Sequence, residues 1–255
     1  MATPKLFRLK AEVAPASSGP RASVLPYARV RVDTGVFHLD QVYDYQIPEK
    51  LTGLVQVGVR VQLPFGNRET EGIVVDRVAA PERAGDLKSI TKVLSVVPIA
   101  TIQSLQFIDL VAQHFACNPW DLIRSAIPPR VAAVDKVFLS GEPDPQKGSK
   151  GAIEFQVLAP FTQAHEQLAP LVTVHQKAGS ILIVAPDEKD VDLVIASLGS
   201  AALSPLKLTA ALTREERYRN YLLAMHGSNS IVVGTRSAIF APIKNLATVI
   251  VHKES

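Results

Sequence analysis

The spacing of apolar residues changes along this chain, and that change limits the folds open to it. Tyr27-Ala28-Arg29-Val30-Arg31-Val32 and Val57-Gly58-Val59-Arg60-Val61-Gln62-Leu63 alternate apolar and polar side chains. Alternation puts one face of a strand in a core and the other in water. Residues 42–47, 72–78 and 90–97 read as further strands, punctuated by turn residues such as Asp33-Thr34-Gly35, Pro48-Glu49-Lys50 and Gly66-Asn67. Short strands with tight connections predict a small β-barrel-like domain over residues 26–100. After Pro98 the spacing becomes helical: Ile102, Leu105, Ile108, Val111 and Phe115 recur every three to four residues. A second helix is expected from Asn118, a good N-cap followed by Pro119, with Trp120, Ile123 and Ile127 on its buried face. Pro128-Pro129 ends it. With a strand-like stretch at 136–139, this predicts a winged-helix-like helical module over 101–139.

Residues 140–151 carry almost nothing apolar and read as a linker. Beyond them, over 152–255, apolar strands (155–158, 180–186, 206–209, 230–234, 247–251) alternate with helical stretches (187–198, 213–226). Thr213 and Glu216 fit a capping box. Strand–helix alternation with near-continuously apolar strands predicts a parallel sheet covered on both faces. The expected fold is therefore multi-domain α/β. Residues 1–25 hold Lys5, Arg8, Lys10 and Arg21 against Glu12, and read as a basic disordered tail.

Composition narrows the function. The formal net charge is only +3, so the distribution of charge matters more than its sum. One cysteine, Cys117, excludes a disulfide framework or a cysteine-based zinc cluster within the chain; it reads as a small buried residue. No signal peptide is expected at the start, and the apolar run Ile181 to Ala185 is far short of the ~20 residues of a membrane helix. A cytoplasmic, nucleoid-associated location is expected, with no membrane partner. His114, His175 and His226 lack partners at ligand spacing, so no metal is assigned.

A parallel α/β lobe invites a search for a phosphate loop, which needs glycines for close amide approach and a lysine for charge. After the candidate strand 155–158 comes Ala159-Pro160-Phe161-Thr162-Gln163-Ala164-His165-Glu166, without glycine or lysine. Pro160, Thr162 and His165 mark this degenerate loop. The strand 247–251, where a magnesium-binding carboxylate is expected, runs into His252-Lys253 instead.

Motifs in register carry a resemblance. Ile231-Val232-Val233-Gly234-Thr235-Arg236-Ser237-Ala238-Ile239-Phe240-Ala241-Pro242 resembles the first lobe of the primosomal replication-restart helicases, the PriA family. Upstream, Phe37-His38-Leu39-Asp40 with Tyr43-Asp44-Tyr45 and Pro48 is similar to that family's first strand pair. Gly58-Val59-Arg60-Val61 with Pro64-Phe65-Gly66 and Arg68, then Glu71-Gly72-Ile73-Val74-Val75, is similar to its next hairpin. Leu87-Lys88 and Ala126-Ile127-Pro128-Pro129-Arg130 complete a match spanning about 27–251, the family's amino-terminal portion.

The resemblance implies a β domain that grips DNA 3′ ends at a stalled fork, a winged-helix module and one partial RecA-like lobe. It places the terminal-nucleotide pocket at Tyr43, Asp44, Tyr45, Gly66 and Lys88. An aromatic ring can stack on a base, a carboxylate can accept from a hydroxyl, and a lysine can pair with phosphate. The plain alternatives are inward-facing strand tyrosines and a turn-forming aspartate. Thr235, Arg236 and Ser237 can contact a DNA backbone or simply cap the following turn. The family's second lobe and zinc module are not expected in this chain, so no cofactor is assigned and ATP binding is doubtful. Actinobacterial-type members that have lost the ATP motifs are similar. The reading is a non-enzymatic replication-restart factor that binds single-stranded or forked DNA and recruits primosome and single-strand-binding proteins. The alternative is an ATP-dependent 3′-to-5′ helicase with an unconventional nucleotide site.

Overall fold

A computed structural model describes residues 19–82, 85–95, 97–138, 151–159, 162–227 and 231–253. The expected basic tail and linker fall largely outside them. The chain divides into two compact units, the first taking residues up to 56 and 60–94, the second 57–59 and 95 onward.

The first unit is an antiparallel sheet of β1 (Tyr27–Val32), β2 (Val42–Gln46), β3 (Arg60–Phe65), β4 (Arg68–Val78) and β5 (Lys92–Val93), ordered β2-β1-β4-β3-β5. Alternation works as expected in β1 and β3, where Ala28, Val30, Val61 and Leu63 are fully enclosed. Gly66, at φ +59°, supplies the left-handed residue in the two-residue loop joining β3 to β4. Gly72 lets β4 approach β1: a Cβ there would lie 2.5 Å from Val30 Cγ1. The strand expected over 90–97 reduces to Lys92–Val93. The stretch 88–91 leading into it is nevertheless an organiser. Lys88 O accepts from Gln46 N (2.9 Å), Ile90 N donates to Gln46 O (3.0 Å), and Thr91 N donates to Gln62 O (2.9 Å). It thus bonds to both β2 and β3, at opposite sides of the sheet. Arg77 fastens the rim, donating to the carbonyls of Val24, Leu25, Thr52 and Val55.

The second unit begins with α1 (Ile102–Phe115), α2 (Pro119–Ala126) and α3 (Ala132–Asp135). Asn118 caps α2 as its sequence predicts, accepting from Trp120 N at 2.9 Å, and Trp120 is buried. Cys117 is half-buried rather than enclosed. The strand expected at 136–139 is not formed over its described residues. Asp135, 4% exposed, accepts from Tyr218 Oη (2.6 Å) and Arg130 Nε (2.5 Å), which holds the segment in a helical turn.

There follow α4 (Leu168–His175), β6 (Ser180–Val184), α5 (Glu188–Ser200), β7 (Leu206–Leu208), α6 (Arg214–His226), β8 (Ile231–Gly234) and β9 (Leu246–Val251). The strands form a parallel sheet ordered β7-β8-β6-β9. Asp187 caps α5, and Thr213 with Glu216 forms the predicted capping box on α6. The expected strand at 155–158 is absent. Phe155 and Val157 are 83% and 93% exposed, and an extended segment without a ladder partner gains nothing that would hold it as a strand. Among the described residues, no helix is long and apolar enough to cross a membrane.

Candidate functional site

In the first unit, β1 lies between β2 and β4, so that Arg29 faces Asp44 on one side and Asp76 on the other. These side chains wall a cavity of about 510 Å³, lined also by Gln41, Val42, Tyr43, Val75, Glu82 and Leu87. Asp44 is well enclosed: its Oδ2 accepts from Glu82 N at 2.7 Å, and its Oδ1 is 3.8 Å from Arg29 Nε. Arg29 also pairs with Glu82 (2.7 Å) and approaches Asp76 (3.9 Å). Three carboxylates around one guanidinium make the lining acidic. Such a lining favours groups that donate hydrogen bonds, such as sugar hydroxyls and base amines, and repels phosphate at the same spot.

The residues singled out in the sequence fall into connected sets. Tyr43 and Asp44 line the cavity. Tyr43 donates its hydroxyl to Leu39 O at 2.8 Å, and its ring meets Phe65 edge-on with centroids 5.0 Å apart. Gly66 follows Phe65, and Lys88 Nζ donates to Gly66 O at 3.0 Å, so the expected glycine and lysine are brought together. Tyr45 is different. It is 4% exposed and donates to Pro64 O at 3.2 Å, bracing the Pro-Phe-Gly turn from within the core. Burial pushes its hydroxyl well above the usual phenol range, with Tyr43 and Glu69 adding to the rise. Gly66 has open space where a Cβ would project. Sequence reasoning missed Arg29, Asp76 and Glu82. Arg29 and Asp76 are brought together by strand register, and Glu82 comes in from the loop after β4, neither of which local patterns supply.

In the second unit, Thr235, Arg236 and Ser237 follow β8. Thr235 makes no side-chain cap, although its carbonyl accepts from Ala238 N at 2.8 Å. Arg236 is exposed, without an ion-pair partner among the described residues. Gly234 allows the close packing here: a Cβ would lie 2.4 Å from Leu208 O.

Of the degenerate loop, Pro160 lies outside the described residues. Thr162 N donates to Ala159 O at 3.1 Å, and His165 O accepts from Ser197 Oγ at 2.9 Å. At the carboxyl end of β9, His252 N donates to Val184 O (2.8 Å), and Lys253 pairs with Asp190 (2.5 Å). His252 is buried, its Nε2 meets no partner, and burial with the neighbouring Lys253 lowers its basicity. Among the described residues, no group of three or more His, Cys, Asp or Glu is placed to hold a metal ion.

Comparison with known proteins adds a family. The 3′DNA-binding domain (3′BD) family of PriA matches residues 29–128, which include the cavity. The chain is 31% identical over 247 residues to the "Probable replication restart protein PriA" of Mycobacterium tuberculosis (strain H37Rv), covering 86% of this chain and 37% of that protein. The Mycobacterium leprae protein of that description is 28% identical over 246 residues, covering 86% of this chain and 38% of its own length. The replication restart protein PriA of Bacillus subtilis (strain 168) is 34% identical over 76 residues, 29% of this chain and 9% of that protein. The chain thus spans well under half the length of these relatives. With the motifs in register and the match over the antiparallel unit, this chain belongs to the PriA replication restart family and corresponds to its amino-terminal portion.

Proposed function

We propose that this chain is a DNA-binding replication-restart factor that recognises 3′ ends at stalled forks and recruits other primosome and single-strand-binding proteins, without unwinding DNA itself. The observation that carries this reading is the acidic cavity at Asp44 within the family-matched unit, with the Tyr43, Gly66 and Lys88 group beside it. In this reading the barrel-like sheet holds the terminal nucleotide, Asp44 accepts from its 3′-hydroxyl or base, Tyr43 offers ring surface, and Lys88 approaches a phosphate. Tyr45 holds the turn in place. The helical elements of the second unit form a winged-helix-like module, and its parallel sheet is a partial RecA-like lobe. There Thr235, Arg236 and Ser237 contact the DNA backbone.

The loss of motor activity is supported by the residues where a nucleotide would sit. ATP turnover requires cations and amides aimed at the transferred phosphate. The loop around Thr162 and His165 offers neither lysine nor glycine, and the carboxyl end of β9 carries a buried histidine and a lysine tied to Asp190. The test is paired: binding to forks with hydroxyl or phosphorylated 3′ ends, and ATP hydrolysis on the same sample with and without forks. Preference for the hydroxyl end without DNA-stimulated hydrolysis is expected. Fork-dependent hydrolysis would instead establish the helicase reading.

A further inference from the structure

We propose that Phe37, presented on a braced loop together with Arg68, is a stacking platform for the base next to the 3′ terminus of single-stranded DNA. The proposal rests on the end-binding reading above and assigns the next step of the strand.

Phe37 opens the 3₁₀ turn Phe37–Leu39, none of whose residues is buried, and is itself 67% exposed. Val36 and Val42, each 39% exposed, extend the apolar surface. A solitary exposed ring on a surface needs no explanation, but the backbone beneath this one is fixed from several directions. Thr34 Oγ1 donates to Val36 O (3.0 Å) and accepts from Val36 N (3.2 Å). Leu39 N bonds to Val36 O, and Asp40 N to Phe37 O, both at 3.1 Å. Asp40 pairs with Arg31 at 3.3 Å, the two side chains being almost fully enclosed. Thr70 Oγ1 donates to Asp33 O at 2.9 Å. A ring carried on a pre-ordered backbone loses little freedom when a base lands on it.

The loop is also continuous with the cavity. It runs directly into Gln41, Val42 and Tyr43, all cavity-lining, and the Tyr43 hydroxyl bonds to Leu39 O. Among the described residues of this unit, Phe37 is the phenylalanine or tyrosine whose ring is exposed, and it is offered to a base leaving the cavity along this loop. Arg68 supplies the complementary charge. It is exposed and donates one Nη2 bond to Thr34 O at 2.8 Å, and its other donors have no partner among the described residues. A ring for a base with a cation for its phosphate is the chemistry of a single-strand contact, read by stacking rather than by sequence. The acidic cavity cannot seat that phosphate, whereas the Arg68 side of the loop can.

The test is a cycle in protein and DNA. Wild type, Phe37→Ala and Phe37→Trp are titrated against 3′-tailed DNA whose penultimate nucleotide is either intact or abasic. Phe37→Ala is expected to weaken binding about tenfold on the intact tail and to leave binding to the abasic tail unchanged, while Phe37→Trp restores the intact-tail affinity. Equal losses on both tails, or no loss on either, would overturn the platform; the second result would leave the ring for a protein partner. Preference for a hydroxyl over a phosphorylated end, measured on the same variants, reports the cavity separately. Phe37→Ala should retain it, and its absence in wild type would refute the end pocket without altering how the Phe37 cycle is read.

Discussion

Substitution of Asp44 by Asn removes one negative charge from the cavity while keeping its shape. The amide oxygen can still accept from Glu82 N, now at 2.7 Å, so the local backbone contact survives. The lost attraction to Arg29 acts over 3.8 Å on a side chain that is 31% exposed, and partly exposed pairs contribute only ~0–1 kcal/mol. The melting temperature should hardly move. Binding should. A hydroxyl bonded to a charged acceptor is worth about 1.4 kcal/mol more than one bonded to a neutral acceptor, a factor of about ten. A phosphorylated end meets the opposite effect. At ~6 Å and an effective dielectric constant of ~20, each carboxylate repels a unit charge by about 3 kcal/mol before screening, and salt reduces this to about 1 kcal/mol. Losing one carboxylate therefore weakens the hydroxyl end and relieves the phosphorylated end. Together these shifts lower the preference for a free end about fiftyfold. Competition anisotropy at ~0.15 M ionic strength, where that screening holds, with both ends on an otherwise identical fork, reads this ratio directly. Equal weakening on both ends, or an unchanged ratio in a folded protein, would refute the assignment of Asp44 as the acceptor.

Other outcomes follow from the same geometry. Glu82→Gln weakens the 2.7 Å pair with Arg29 and removes a negative charge from the cavity lining; affinity for a phosphorylated end should rise about threefold, and a fall in titration would contradict it. Arg77→Met leaves the carbonyls of Val24, Leu25, Thr52 and Val55 without their shared donor, which should cost about 2–4 kcal/mol in urea unfolding; an unshifted midpoint would mean water replaces the guanidinium. Burial holds His226 and His252 below the usual imidazole range, with Lys244 and Lys253 respectively contributing. The folded chain keeps both neutral while the unfolded chain protonates near pH ~6.5, so their contribution is complete above that value and is lost as pH falls toward their folded values. Melting temperature should decline from pH ~7.5 to ~5.5, His252→Gln should flatten part of the decline, and an unchanged slope would exclude His252 as its source.

Local signals carried much of the fold. The cap at Asn118, the box at Thr213 and Glu216, and the Gly66 turn are legible because neighbouring residues determine them. The alternation in β2 places Tyr43 and Tyr45 on one face, yet only Tyr45 is enclosed; its hydroxyl reaches Pro64 O in β3 whereas that of Tyr43 returns to the nearby Leu39 O, and no local pattern reveals the difference. The cavity was less legible still. Arg29 meets Asp76 only because β1 pairs with the distant β4, and Glu82 reaches both Arg29 and Asp44 from a loop. The apolar pattern at 155–158 misled for the converse reason: a strand exists only where a partner is available.

The central position of β1 has a consequence during synthesis. Its neighbour β2 emerges early, but β4 ends at Val78. Until the ribosome has released that residue, Val30 and Val32 lack half of their shelter, and closing the intervening chain carries an entropic cost. The antiparallel unit therefore cannot mature piecemeal; its apolar interior stays open until β4 arrives.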